Sequence, residues 1–165
     1  VTITSGNTLA PGNSPGLMTF ADNLTLDPGS TTLMEVGGNT IAGTSYDKVA
    51  VTGQLSFGGT LTITAYDLGG GTYDISQAAT LDLFGFGSQT GNFTSVTVVG
   101  TTLTYDSDTS VWSATNVNGF DYNLALATGD LIISAAAIPE PSACALIAGA
   151  VLFGLALRRK RRVCV

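Results

Sequence analysis

The side chains best able to do chemistry in this sequence are carboxylates, because the chain contains no histidine. Histidine is the usual general acid and base at neutral pH, so its absence removes the commonest means of proton transfer. Asp106 and Asp108 lie two residues apart with Asp121 downstream, and Ca²⁺ prefers carboxylate oxygens as ligands. The Gly and Asp positions of an EF-hand loop are missing here, so the spacing favours a solvated acidic turn. We therefore predict no catalytic, cofactor-binding or metal-binding residue, no cofactor, and a protein that is not an enzyme.

Two further sets of side chains are candidates for binding rather than catalysis. The pairs Thr2/Thr4 and Thr62/Thr64 are predicted to point outward from their strands. Stacked on a flat sheet, such pairs could bind ice or a carbohydrate surface, although threonine is also a common outward residue of ordinary strands. The bulky residues near the end of the body are interpreted as closing its open end, with ligand stacking as the alternative; they are Trp112, Phe120 and Tyr122.

The elements that must position these residues are strands, because apolar and polar residues alternate along the first 134 residues. Alternation with a period of two puts one face of a strand into a core and the other into solvent. The clearest examples are Val1/Ile3, Met18/Phe20, Leu24/Leu26, Val49/Val51, Leu55/Phe57, Leu61/Ile63, Val96/Val98 and Leu124/Leu126. Glycines stand between the runs, as expected of turns, and no helical period appears before Ile138. The pattern predicts an all-β body.

A weak internal repeat links two strand–turn–strand units, residues 23–36 and 54–63. Aligning them with four turn residues removed matches Leu24 with Leu55, Leu26 with Phe57, Met34 with Leu61, and Val36 with Ile63. Repeated units of this size favour a stacked solenoid, whereas the alternation alone also fits a β-sandwich.

The segment LAPGNSPG at residues 9–16, followed by the strand pairs of residues 21–36 and 46–64, resembles autotransporter passenger domains and related bacterial surface proteins with autotransporter-associated β-strand repeats. This resemblance implies an all-β fold class: the C-terminal coils and cap of a right-handed parallel β-helix. The β-sandwich body stays as the alternative. Since the sequence starts at Val1 within a strand pattern, we also expect further chain, with a signal peptide, before it.

Charge divides the chain into a body and a tail. Up to residue 137 there are eleven acidic residues and one Lys, a formal charge of −10, which argues against binding to nucleic acid. Residues 143–157 are apolar apart from Cys144, and we predict a single transmembrane helix there. The basic residues that follow are a topology signal that keeps the end of the chain in the cytoplasm and the body outside; they are Arg158, Arg159, Lys160, Arg161 and Arg162. Both cysteines, Cys144 and Cys164, lie in this tail, so no disulfide braces the body.

Residues 138–162, which read IPEPSACALIAGAVLFGLALRRKRR, resemble the PEP-CTERM sorting signal of exopolysaccharide-associated bacterial proteins. The order of Pro-Glu-Pro, apolar run and basic cluster carries this resemblance. It implies recognition by an exosortase and cleavage near the Pro-Glu-Pro triplet. The sorting and processing motif is then Pro139, Glu140, Pro141 and Ser142.

We therefore predict an extracytoplasmic body (1–134), a Pro-Glu-Pro linker (135–142), a transmembrane helix (143–157) and a basic cytoplasmic tail (158–165). The predicted function is a non-catalytic cell-envelope or extracellular-matrix protein of adhesin type, processed by an exosortase. It spans the inner membrane once, with its body on the periplasmic side, and reaches the cell surface or matrix after processing. Its predicted partners are the membrane, the exosortase and an exopolysaccharide. The alternatives are an ice- or polysaccharide-binding surface protein, or the C-terminal part of a polysaccharide-active enzyme.

Overall fold

A computed structural model describes residues 1–12, 14–70, 75 and 77–137 of the chain. The described residues form fifteen strands and no helix. The strands are β1 (Thr2–Ile3), β2 (Thr8–Leu9), β3 (Leu17–Phe20), β4 (Leu24–Leu26), β5 (Thr31–Val36), β6 (Lys48–Phe57), β7 (Thr60–Ala65), β8 (Ala79–Asp82), β9 (Phe84–Gly91), β10 (Ser95–Val98), β11 (Thr101–Thr102), β12 (Thr104–Asp106), β13 (Val111–Val117), β14 (Phe120–Ala125) and β15 (Asp130–Ala135).

The strands assemble into three five-stranded sheets. The first sheet has the order β1-β4-β6-β3, with β9 paired to the other edge of β6. The second has the order β11-β10-β7-β5-β2, and the third has the order β12-β13-β14-β15-β8. All pairings of the first sheet are parallel, as are those that join β2, β5, β7 and β10 in the second. The third sheet is antiparallel throughout.

Two glycines allow the β6–β7 turn to lie directly against the β4–β5 turn. A Cβ added to Gly58 would stand 2.0 Å from the Leu26 carbonyl oxygen, and one added to Gly59 would stand 2.1 Å from the Ser30 carbonyl oxygen. Gly59 also has a φ of +66°, a conformation that L side chains rarely adopt. Any side chain at these positions would push the two turns apart, so the glycines set the spacing of the parallel ladders.

The third sheet is built from local turns instead. Asn118 and Gly119 connect β13 to β14, and both have positive φ, 53° and 85°. This is the geometry of a two-residue type I′ hairpin, for which Asn-Gly is a favoured sequence. β8 forms one edge of this sheet, where its Leu81 lies opposite Leu131 of β15.

The three sheets share one apolar core. Leu24, Leu55, Leu61, Ile63 and Leu124 are fully buried in it, and four phenylalanines pack ring against ring beside them. Those rings are Phe57, Phe84, Phe86 and Phe93, with centroids 5.0–6.0 Å apart. Inward residues alternate with half-buried outward ones along β5, β7 and β10, as the period of two predicts.

The all-β prediction is confirmed, but the fold predicted for this body, a right-handed parallel β-helix, is wrong. The described residues form three separate sheets, one of them wholly antiparallel, and β11 turns back against β10. The β-sandwich alternative does not describe these sheets either, because parallel ladders hold the first two. The physical reason for the error is that alternation and glycine turns are the same for parallel and antiparallel strands.

The described part of the chain contains no helix of the length and apolarity needed to cross a membrane. The segment for which we predicted such a helix, residues 143–157, lies outside the described residues. The last described strand, β15, ends at Ala135.

Candidate functional site

A buried carboxylate holds together the segment that carries the LAPGNSPG motif. Asp47 is 1% exposed and accepts hydrogen bonds from the Gly16 amide at 2.6 Å and the Glu35 amide at 2.8 Å. It therefore ties the end of the motif to β5 and to the start of β6. Gly16 must lack a side chain, since a Cβ there would lie 2.0 Å from the Gly12 carbonyl oxygen.

The electrostatics of Asp47 fit a structural role. Burial raises the pKa of its carboxyl above the ordinary value, although the two backbone hydrogen bonds act in the opposite direction. The carboxyl group is buried and accepts hydrogen bonds from two backbone amides. Asp47 was not predicted as a functional residue from the sequence. Its signal there was an acidic residue beside Lys48 at the start of a strand pattern, between Tyr46 and Val49.

Asp106 and Asp121, two of the acidic residues considered for calcium, each accept a hydrogen bond from a nearby backbone amide. Asp106 accepts a hydrogen bond from the Asp108 amide at 2.9 Å, and this bond holds the pKa of the fully exposed Asp106 carboxyl below its ordinary value. Asp121 accepts from the Asn116 amide at 2.7 Å instead. No group of three or more acidic, cysteine or histidine side chains suited to a metal ion occurs in the described ranges.

The large aromatic residues of the third sheet are part of the core. Trp112 is 7% exposed, donates from Nε1 to Asn92 Oδ1 at 2.7 Å, and packs 5.1 Å from the Tyr105 ring. The Tyr122 hydroxyl is buried and donates to the Ile75 carbonyl oxygen at 3.3 Å. Phe120 is partly buried against the same core. Trp112 and Tyr122 are thus enclosed, whereas a ring that stacks on a ligand must be accessible.

Hydroxyl side chains form straight rows across the outer side of the second sheet. In the first row Thr8 lies opposite Thr31, Thr31 opposite Thr60, and Thr60 opposite Ser95. In the second row Leu33, Thr62, Thr97 and Thr102 lie opposite one another in turn. The residues between the rows point inward and are buried. We call these eight residues the threonine face.

The two threonine pairs predicted from the sequence contribute unequally to the threonine face. Thr62 lies within the threonine face, and Thr64 lies opposite Glu35 in the next outward row, where its hydroxyl reaches the Met34 carbonyl oxygen at 3.5 Å. Thr2 belongs to a different row, on the first sheet, with Thr25, Ser56 and Thr90. Thr4 follows the end of β1 and accepts from the Asn7 side-chain amide. The rows could not be found from pairs within one strand, because they consist of residues on different strands.

The body has one lysine, and it is paired. Lys48 of β6 forms an ion pair with Asp82 of β8, which links the first sheet to the third. The predicted sorting residues 139–142 and the basic cluster 158–162 lie outside the described residues.

The comparison with protein families gives one result. A family model described as the PEP-CTERM protein-sorting motif matches residues 137–162. The match includes all the residues that we predicted for processing and topology, and it identifies a C-terminal sorting signal of the exosortase type. The motif suggests a protein that is processed by an exosortase and exported to the cell surface. No curated protein and no solved structure shows significant similarity to the chain, so the autotransporter-type resemblance of the body has no support from a homologue.

Proposed function

We propose that this chain is a non-catalytic protein of the cell envelope or extracellular matrix, of adhesin type, whose β-sheet body is delivered by its C-terminal sorting signal. The observation that carries the proposal is the sorting motif at residues 137–162, which begins two residues after the last strand of the body ends. Because the signal follows the folded body so closely, the body is the part of the chain that is delivered.

The charge distribution supports the orientation within this proposal. Acidic residues dominate the body, whereas the cluster 158–162 is wholly basic. Basic residues next to an apolar segment are retained in the cytoplasm. Before processing, the chain is held at the inner membrane through its tail, with the body on the periplasmic side, and processing then releases it toward the surface.

The non-catalytic part of the proposal is supported by the state of the carboxylates. Asp47 accepts hydrogen bonds from two backbone amides, and Asp106 and Asp121 each accept one from a backbone amide nearby in the chain. Glycosidase chemistry requires two carboxyl groups that flank a bound substrate.

Cell fractionation tests the proposal in a bacterial host that carries an exosortase. The native chain is expected in the surface or matrix fraction, and the variant with Pro139→Ala and Pro141→Ala is expected to stay in the membrane fraction. Pro28→Ala, in a turn of the body, is the matched control and is expected to behave like the native chain. If the native chain and the double variant distribute identically, sorting by the Pro-Glu-Pro triplet is excluded.

A second assay addresses the adhesin type. Cells that display the body are expected to attach to a surface or to a matrix-bearing neighbour more strongly than cells that lack the chain. Equal attachment of the two strains would leave a sorted surface protein without an adhesive role.

A further inference from the structure

The threonine face has the geometry of a narrow binding surface. Neighbouring strands of a sheet lie about 4.8 Å apart, so each row of four residues extends over roughly 14 Å. Successive outward residues of one strand lie about 7 Å apart, which sets the distance between the two rows. The inward residues Leu61, Ile63, Val96 and Val98 are buried and support the strands from behind. The result is a strip of outward side chains two rows wide, along which one extended chain could lie.

The side chains on this surface present two kinds of contact at once. Threonine offers a hydroxyl, which both donates and accepts a hydrogen bond, and a methyl group beside it. Its β-branched side chain is stiff at χ1, so little rotamer freedom is lost when a ligand binds. A sugar ring carries hydroxyl groups at its rim and C–H groups on its faces, and it can therefore contact both groups of each threonine.

Charge narrows the class of ligand. None of the eight residues of the threonine face is ionisable, and the adjacent outward position on β5 is the acidic Glu35. The body around the face is strongly acidic, and its single lysine, Lys48, is already paired with Asp82. A polyanion such as a uronate-containing polysaccharide would therefore be repelled, whereas an uncharged polysaccharide would not.

We propose that the threonine face binds a segment of a neutral, extended polysaccharide, which lies across the strands on top of the two rows. The inference rests on the proposed function in one respect, since delivery to the envelope or matrix brings the face to such a ligand. The face is only two rows wide, and Leu33 stands at one end of its second row in place of a threonine. Both features suit a single polymer chain better than an extended ice surface.

A retention assay tests this proposal. The full chain is kept in detergent micelles, and its binding to polysaccharides is measured. The probes are three neutral polymers (cellulose, starch and a galactomannan) and one polyanion, alginate. The native chain is expected to bind at least one neutral polymer and not alginate. The variant with Thr62→Val and Thr97→Val keeps the β-branched shape but removes two central hydroxyls, and its affinity is expected to fall about tenfold or more.

Two matched variants make the result specific. The pair Thr25→Val and Thr90→Val removes hydroxyls from the first sheet, and it is expected to leave binding unchanged. The pair Thr62→Ser and Thr97→Ser keeps the hydroxyls, and it is expected to retain affinity within about threefold. Circular dichroism of each variant checks that the sheets are formed.

The proposal is overturned if no neutral polymer retains the native chain, if the two valines leave retention unchanged, or if alginate binds best. It is also overturned if the chain slows ice growth or self-associates through this face without binding a polymer. None of these outcomes depends on exosortase processing, which is measured without any ligand, so the failure of this inference and the failure of the proposed function are distinguishable.

Discussion

The parallel sheets and the antiparallel sheet are built from the same alternating pattern, yet they depend on different parts of the sequence. Parallel partners are far apart in the chain: Thr31 lies opposite Thr60, and Gln54 lies opposite Ser88. Antiparallel partners can be close, such as Val117 and Phe120 at the ends of a two-residue turn. The parallel part therefore relies on contacts between distant turns, whereas the β13–β14 hairpin relies on the preference of its own residues.

The largest difference in stability loss between the parallel and antiparallel regions is expected when a glycine of each region is replaced by alanine. Gly59→Ala would place a methyl group 2.1 Å from the Ser30 carbonyl oxygen and also strain a positive φ, so we expect a loss of more than about 3 kcal/mol in the free energy of unfolding. Gly119→Ala has the same backbone strain with nothing within 4 Å of the added carbon, and should cost only about 1–2 kcal/mol. Urea unfolding of the two variants measures both values. Equal losses would show that the close approach of the parallel turns is unimportant.

Substitution of Asp47 is expected to cause the next largest loss of stability, because its carboxyl group joins three segments of the parallel region. Asp47→Asn replaces one acceptor oxygen with a donor and leaves a buried backbone amide unpaired, at an expected cost of about 2 kcal/mol. Asp121→Asn, near the start of β14 in the antiparallel sheet, is the matched control and should cost less than about 1 kcal/mol. Thermal or urea unfolding distinguishes the two, and a larger loss at Asp121 would contradict the assigned role of Asp47.

The same carboxyl predicts a pH dependence of stability. Burial raises its pKa in the folded state, so the folded protein holds this proton more tightly than the unfolded chain does. Its contribution to the free energy of unfolding is fully present below about pH 3.9, the ordinary aspartate pKa, and is lost as the pH rises through the folded pKa. The difference in unfolding free energy between native protein and Asp47→Asn should therefore shrink as the pH is raised from about 3.9 to 7. A difference that grows over this interval would mean that the folded pKa is lowered.

A smaller gain in stability is expected at Thr32, in the core behind the threonine face. Thr32 is fully buried, and its hydroxyl has no hydrogen-bond partner among the described residues. Thr32→Val removes the unpaired polar group and keeps the side-chain shape, so the free energy of unfolding should rise by about 1 kcal/mol. Thr62→Val, on the outer side of the same sheet, should change it by less than about 0.5 kcal/mol. If Thr32→Val destabilises the protein, the buried hydroxyl has a partner.

The smallest effect on stability is expected for the ion pair that joins the two regions. Lys48→Met keeps most of the apolar stem but removes the ion pair with Asp82, a carboxylate that is 49% exposed. Such a pair contributes less than about 1 kcal/mol, and salt should weaken it further. A double-mutant cycle with Asp82→Asn at low and high salt measures the coupling. A coupling that is large and independent of salt would contradict this estimate.

The sequence predicts which residues form strands and face the core, but it does not predict which strands pair or in which register. Most of the residues predicted to point inward, such as Leu24, Leu55 and Ile63, are buried, because alternation alone determines the face of a strand. Val1, by contrast, is 68% exposed. The repeat matched Leu24 with Leu55 correctly but matched Met34 with Leu61, whereas Met34 lies opposite Ile63. A shift of two residues keeps every side chain on the same face, so nothing in the alternation could reveal it.

The candidate surface was only partly predictable for the same reason. Thr62 was singled out as outward-facing, but its row includes Thr97 and Thr102, which are its neighbours only through strand pairing. The sorting signal, by contrast, is a contiguous motif, and residues 138–162 sufficed to find it. A linear motif can be read without a fold, whereas a surface made by several strands requires their register.

The central claim is that the tail directs processing, and the intact mass of the chain measures this most directly. The protein is recovered from a host that carries an exosortase and from the same host without the enzyme. We predict a mature form that ends near residues 139–142 only when the enzyme is present. A tail that stays intact in both hosts would contradict the claim and leave residues 137–162 without a role in processing.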